Sequence, residues 1–322
     1  MLTYFFYTSA SISRLFLIAK IKGRLRSHFS PKRFSIAKNL RFIYGNEMSD
    51  KALRTITRQH FEYLEKNDLT FVLPQLKHFK NPGNWPISGL EHLDSALEKK
   101  RGVILLSAHF GYGRIISHIL RLRGYKINLI GVKSAPTFSN RYKKDRQWRR
   151  RRRPLSTFCK YMHGRFQFAK NAFDNCDLVA DLNVRPLLRA LKSNEILIIL
   201  GDGLHALNFV NVNILNQTLP FPTGPMSIAK ATGAVILPTF AIDTQNRLGI
   251  KIEIGQPLQI DPDTNSKDAI AEKIHQFARI YERYIYSYPH LHRWSKENWF
   301  DKRIKQSKKD VSERFAEQIT NA

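Results

Sequence analysis

A histidine that follows an apolar run and precedes glycines is the residue of this chain whose surroundings best suit chemistry. His109 lies in Ser107-Ala108-His109-Phe110-Gly111-Tyr112-Gly113-Arg114, directly after Val103-Ile104-Leu105-Leu106. The apolar run reads as a buried strand and Ile115 to Leu122 as a helix, so the histidine falls on the turn at the strand's carboxyl end. Open α/β sheets bind ligands in crevices outside those ends. An imidazole titrates near neutrality, so it can take a proton from a hydroxyl and return one to a leaving group. The same residue is also compatible with a hydrogen-bonded loop histidine that has no catalytic part.

Two further segments have the same character. Ile196 to Leu200 is a second apolar run, and Gly201-Asp202-Gly203 follows it. If the two strands are parallel, Asp202 sits at the same sheet edge as His109, where a carboxylate can orient an imidazole and favour its protonated form. The bland alternative is an aspartate in a polar turn. Thr223-Gly224 precede Pro225-Met226-Ser227-Ile228-Ala229-Lys230 and look like the entry to a helix. Free N–H groups at a helix start bind phosphate or stabilise an oxyanion, although Thr223 can equally serve as a simple cap.

The elements that position these residues alternate along the chain. Strands are predicted at 102–107, 126–132, 177–181, 195–200, 234–242 and 248–254, and helices at 113–124, 185–192, 223–232 and 267–287. Residues 35–76 and 91–100 also read as helical, and 81–84 as a loop. That order predicts an α/β fold: a single largely parallel sheet flanked by helices, with a helical region at the amino end. Between Gly203 and Ala229 there is no Asp, Glu, Lys or Arg. This stretch is expected to be an uncharged loop suited to an acyl chain.

Composition narrows the partners. The 322 residues hold 53 Lys plus Arg against 26 Asp plus Glu, a formal charge of +27, with 43% hydrophobic residues. Such a chain folds and seeks anions: acidic lipid headgroups, an acidic carrier protein or nucleic acid. Arg149 to Arg153 form an unbroken basic run with Tyr142, Trp148, Phe158 and Tyr161 nearby. It reads as a solvated face or a docking surface, and no nucleic-acid signature accompanies it, so nucleic acid is not expected as the partner. Cys159 and Cys176 form no disulfide framework. The G-x-S-x-G elbow, the phosphate-binding glycine loops and H-E-x-x-H are all missing, and no metal site is expected. His290 and His292 are read as surface or substrate-edge residues. Met1 to Ser13 carry no charge, and Lys20, Lys22, Arg24, Arg26, Lys32 and Arg33 follow a few residues later. This suits an interfacial anchor on anionic lipid, or a first helix packed on the domain. The resulting division is residues 1–48 as a membrane-associating segment, 49–300 as the α/β domain and 301–322 as a basic tail.

The order Ser-Ala-His109-Phe-Gly, Gly-Asp202, Phe221-Pro222-Thr223-Gly224, then Thr232-Gly233-Ala234 to Pro238 resembles the lysophospholipid acyltransferase superfamily. Within it the pattern is most similar to the bacterial lipid A late acyltransferases, the lauroyl/myristoyl transferase group. The stretch Leu187 to Gly203 and the ending Tyr288-Pro289-His290-Leu291-His292-Arg293-Trp294 share the likeness, which runs from about residue 50 to about residue 300. The resemblance implies transfer of a fatty acyl group from acyl carrier protein or coenzyme A to a lipid hydroxyl, with no cofactor and with His109 as base. It implies a place on the cytoplasmic face of a bacterial inner membrane, peripheral or anchored through the amino end. The superfamily's mark is H-x-x-x-x-[DE], and here the position of the acid holds Arg114. A cation there cannot accept a hydrogen bond from the histidine and would lower its pKa. Three readings follow: Asp202 or another carboxylate substitutes, His109 works unassisted, or the chain keeps the fold as a non-catalytic lipid- or carrier-binding protein. Arg114 is expected to bind an anionic substrate group, and Thr223 and Gly224 to offer donors to phosphate or an oxyanion.

Overall fold

The computed structural model of the chain describes residues 12–45, 48–70, 81–131, 178–179, 184–203, 206, 208–244, 249–258 and 267–294. The basic run 149–153, both cysteines and the tail 301–322 lie outside the described residues, as does most of the uncharged amino end.

Three helices come first: α1 (Ile12–Phe29), α2 (Lys32–Tyr44) and α3 (Asp50–Leu69). The stretch read as one helical region from 35 to 76 is thus broken after Tyr44, where Gly45 adopts φ +59°. Ser49 restarts the chain as a helix by accepting the Ala52 N–H at 3.2 Å, which satisfies one of the orphan donors of the first turn. On α3, Leu53, Thr57, His60, Phe61 and Glu65 are buried, a stripe at helical spacing that faces the core.

The remainder alternates. β1 (Ile87–Ser88), α4 (Leu90–Glu98), β2 (Val103–Ser107), α5 (Gly113–Leu122), β3 (Ile127–Gly131), β4 (Leu178–Val179), α6 (Arg185–Lys192) and β5 (Ile196–Leu200) lead into a hairpin of β6 (Phe209–Ile214) and β7 (Gln217–Pro222). Then come α7 (Gly224–Thr232), β8 (Val235–Asp243), β9 (Ile250–Ile254) and α8 (Lys267–Ser287). The main sheet has seven strands in the order β1-β9-β8-β2-β5-β3-β4. β2 pairs parallel with both β5 and β8 at its centre, and β8 pairs antiparallel with β9. All five residues of β2 are buried, as expected of a parallel strand covered on both faces. A continuous apolar run is what that position requires, and each such side chain contributes about 1.5–3 kcal/mol by leaving water.

Two expectations need correction. The uncharged stretch after Gly203 is not a simple loop: β6 and β7 form a separate two-stranded antiparallel sheet within it, so the domain holds a second sheet beside the large one. Leu219 and Phe221 point into the core, and Leu215–Asn216 make the turn with φ of +54° and +56°. Positive φ at both central residues is the twist that a two-residue hairpin needs. The second correction concerns His292, which is fully buried rather than a surface residue, its ring 4.5 Å from that of Trp294.

The first helix has two apolar faces. Ile12, Leu15, Phe16 and Ala19 are buried in the packing of α1 on α3, and Arg24 and Arg26 reach Glu62 and Glu65 at 2.7 Å. On the outside, Leu17, Ile18, Ile21, Leu25 and Phe29 are all more than half exposed. No helix of the described residues is long and apolar enough to cross a membrane.

Candidate active site at the carboxyl edge of the sheet

The register of the central strands assembles the site. Ser107 on β2 is level with Leu200 on β5, and the Gly201 N–H continues the ladder onto the Ser107 carbonyl at 2.7 Å. Two residues further along each strand, His109 and Asp202 meet. A side chain at position 201 would not fit: a Cβ there would lie 2.6 Å from the Phe277 ring of α8. Glycine therefore lets the β5 end close onto the core and delivers Asp202 in a buried position.

Asp202 Oδ1 accepts two hydrogen bonds from the same residue. The His109 ring Nδ1–H donates at 2.8 Å and the His109 backbone N–H at 2.9 Å. The Asp202 side chain is buried, whereas the His109 side chain is 30% exposed. A carboxylate only accepts, so its contact with Nδ1 selects the tautomer protonated there. Nε2 is left as the lone-pair nitrogen, on a partly exposed ring fixed by a buried partner.

The backbone around His109 is tightly held. Phe110 N–H donates to Ala108 O at 2.7 Å, which puts His109 at the apex of a three-residue turn. Gly111 follows with φ +56°, where a Cβ would lie 2.1 Å from the Ala241 carbonyl. Only glycine tolerates both conditions. Its N–H donates to Leu291 O, its carbonyl accepts from the Tyr63 hydroxyl at 3.0 Å, and Tyr112 N–H donates to Ala241 O. Phe110 packs edge-on against Phe240, Tyr281 and Tyr284.

Arg114 enters at the second residue of α5, in a first turn with no acidic residue. Burial, and then the field of the Arg293 guanidinium, bring its pKa down to about 10, so it stays charged at neutral pH. Thr223 and Gly224 open α7. That helix ends where β8 begins, level with Val103, and its nine residues climb about 13 Å. β2 advances by about the same distance from Val103 to Ser107, so α7 starts at the edge that carries His109. Thr223 makes no side-chain cap; its N–H and hydroxyl both reach Asn208 O, at 3.1 and 3.4 Å. Pro225 has no N–H, which leaves those of Gly224 and Met226 without an intrahelical acceptor in the first turn. Among the described residues no hydrogen bond joins Thr223 or Gly224 to His109.

Sequence reasoning did not single out a second polar cluster near the turn. At the end of β8, Asp243 accepts from Lys66 Nζ at 2.6 Å, the Tyr112 hydroxyl at 2.9 Å and His290 Nε2 at 2.7 Å. Burial alone would raise the Asp243 pKa, but the His290 hydrogen bond and the Lys66 ammonium hold it at about 2. The carboxylate thus ties the His109 turn, through Tyr112, to the segment after α8, through His290. Together with Phe16, Leu17 and Lys20 of α1, these groups line a cleft of about 880 Å³. Among the described residues no group of His, Cys, Asp or Glu is arranged to hold a metal ion.

A family profile described as bacterial lipid A biosynthesis acyltransferase matches residues 11–303 of this chain. No curated protein matches it significantly.

Proposed function

The chain belongs to the bacterial lipid A biosynthesis acyltransferase family, and from that membership we propose that it moves a fatty acyl group from an acyl thioester to a hydroxyl of a lipid A precursor or lysolipid. The thioester is carried by acyl carrier protein or coenzyme A. Nε2 of His109 takes the proton of the acceptor hydroxyl as its oxygen attacks the thioester carbonyl. The tetrahedral intermediate then collapses, the C–S bond breaks, and the departing thiolate recovers the proton from the imidazolium. The new C–O bond is the ester. Asp202 takes the place of the acid that the family motif carries at position 114, stabilising the imidazolium through Nδ1–H. The N–H groups at the start of α7, at Thr223 and Gly224, are the candidate donors to the oxyanion or to a substrate phosphate. Arg114 is the candidate contact for an anionic group.

The observation that carries this mechanism is the 2.8 Å contact between His109 Nδ1 and Asp202 Oδ1. It supplies the carboxylate whose loss from the motif would favour a non-catalytic binding protein on the same fold. The outer face of α1 supports a peripheral seat on a bilayer: Leu17, Ile18, Ile21, Leu25 and Phe29 span an arc of about 120° at one hundred degrees per residue.

The test is turnover of purified protein with an acyl thioester and a lipid A precursor or lysolipid, followed by mass spectrometry of the lipid. A gain of one acyl chain is expected, and His109→Ala should lower the rate by about 10²–10⁴-fold. Undiminished turnover in that variant removes the base. Lipid binding with no turnover in the unaltered protein supports the non-catalytic alternative instead.

A further inference from the structure

The carboxyl end of α1 and the first halves of α2 and α3 line a second cleft, of about 630 Å³, in which the acyl-transfer reading has no part. Its charged lining has one sign. Arg33 comes from α2, Lys51, Arg54 and Arg58 come from α3, and no Asp or Glu lines it. Lys51, Arg54 and Arg58 follow one another at steps of three and four residues, so they share a face of α3. All four cations are exposed.

The carboxylates of these helices are engaged elsewhere or distant. α1 and α2 contain none, and α3 contains Asp50, Glu62, Glu65 and Asp68. Asp50 accepts from Arg41. Glu62 accepts from Arg24 at 2.7 Å and stands 3.9 Å from Arg58, beyond hydrogen-bond reach. Glu65 is shared by Lys22 and Arg26, and Asp68 lies about 15 Å along the helix from Arg58. Glu47 falls outside the described residues. Arg33 is partly engaged, since it donates to His28 O and lies over the Phe34 ring. Lys51 and Arg54 make no hydrogen bond or ion pair among the described residues. Thr57, on the same lining, is only 8% exposed, and its hydroxyl has no hydrogen-bond partner there. A buried hydroxyl left unpaired costs free energy that an acceptor oxygen would recover. An arginine fork and a lysine point charge beside it suit a phosphate.

The apolar surroundings indicate what carries that phosphate. His28 lines the cleft, and at about 100° per residue it falls between Leu17 and Ile21, inside the exposed apolar arc of α1. Phe29 follows it in the chain and is 85% exposed; Phe34, on the cleft lining, is 65% exposed. A basic cleft continuous with exposed phenylalanine rings matches a ligand that joins a phosphate to hydrocarbon chains, as a membrane phospholipid does. An acidic protein surface would answer the charge and leave both rings without a role.

We propose that this cleft binds the headgroup of an anionic phospholipid, with Lys51 and Arg54 on its phosphate and the acyl chains over Phe29 and Phe34. The site stands apart from the acyl-transfer reading, because a non-catalytic protein on this fold would hold the same lipid. It gives the seat of α1 on a bilayer a fixed point for one lipid molecule.

The experiment is an NMR titration of the whole chain carrying labelled histidine, with the His28 ring signal assigned through His28→Gln. The probe is dihexanoyl phosphatidylglycerol, kept below the concentration at which it forms micelles. A saturable shift of the His28 signal is expected. Its apparent Kd should rise at least about tenfold in the double variant Lys51→Gln, Arg54→Gln, as loss of charged hydrogen bonds implies. Arg54→Lys should raise it less, because it keeps the charge and loses the fork. Both positions face solvent, so the unfolding midpoint should hold in each variant. Glycerophosphoglycerol, the same headgroup without chains, should bind more weakly, as should zwitterionic dihexanoyl phosphatidylcholine. Equal binding of the first would remove the lipid as occupant, and equal binding of the second would remove the preference for an anion. No shift with the probe, or an unchanged Kd in the double variant, overturns the site. A shift with acyl carrier protein and none with the lipid also overturns it, and moves the surface to the thioester donor.

Discussion

At the scale of single residues, the proposed mechanism turns on a carboxylate supplied by the end of β5. The helix that follows His109 begins with Gly113 and Arg114, and the carboxylate that meets the ring is Asp202. A carboxylate that accepts both the ring and the main-chain N–H of one histidine fixes its tautomer and its orientation together. Asp202→Asn should keep the size and break the chemistry, since an amide can present either N–H or carbonyl to Nδ1 and cannot balance an imidazolium. Turnover is expected to fall by about 10²–10⁴-fold with little change in KM, measured on protein whose unfolding midpoint is unaltered. A rate equal to that of the unsubstituted protein would leave His109 working without help. Both residues were legible in the sequence because each follows an apolar run and has glycine within two positions, and a parallel sheet then brings such ends together. The bridge between Phe110 and His292 was not legible in that way, because it joins segments more than 180 residues apart and is set by the docking of α8 and the segment after it.

Among the elements, strands of a buried parallel sheet announce themselves by composition, and the predicted spans at 102–107, 195–200 and 234–242 fall within a residue or so of β2, β5 and β8. The β6–β7 hairpin was hidden by its turn. Leu215 occupies a left-handed position that usually goes to Asn or Gly, and Pro220 and Pro222 interrupt the strand pattern. The contact of α3 with the segment after α8 was equally unannounced, and it has a measurable consequence. His60 is buried on α3, and its Nδ1–H donates to His290 O at 2.8 Å. Burial, outweighing that hydrogen bond, pushes its pKa down to about 4, so the native ring is neutral at any pH above that. An unfolded histidine protonates near 6.5. Between those two values the unfolded chain holds the extra proton, so stability is complete above about 6.5 and is lost as the pH falls towards about 4. The loss should amount to about 3 kcal/mol, read as a declining urea midpoint across that window. Asp243, with its pKa held down to about 2, contributes its own loss only in a more acidic range. His60→Gln should flatten the slope between pH 6.5 and 4, and an identical slope in that variant would place the titrating group elsewhere.

Over the whole molecule, the charge of +27 and the two-faced first helix act together. The inner face of α1 packs on α3, and α3 supplies the Tyr63 hydroxyl to the His109 turn and Lys66 to Asp243. A surface that seats the outer face of α1 is thus joined to the site by one rigid helix. On that outer face the apolar arc is bordered by Lys20 and Arg24 on one side and by Lys22 and Arg26 on the other, with Arg14 inside it. Lys22, Arg24 and Arg26 share Glu62 and Glu65 as partners, so part of their charge is already balanced. The apolar residues should therefore dominate binding, and the basic flanks should set the preference for anionic lipid. Replacing Leu17, Ile21 and Leu25 together by serine removes most of the arc without touching the buried face. Partitioning onto anionic vesicles in a sedimentation assay should fall at least about a hundredfold, given about 1.5–3 kcal/mol for each large apolar side chain fully buried. The thermal midpoint should hold, because these side chains already face solvent. Neutral vesicles should bind the unsubstituted protein more weakly, and added salt should narrow the difference. If the triple variant partitions like the parent, the seat lies on another face, and the coupling from bilayer through α3 to His109 loses its starting point.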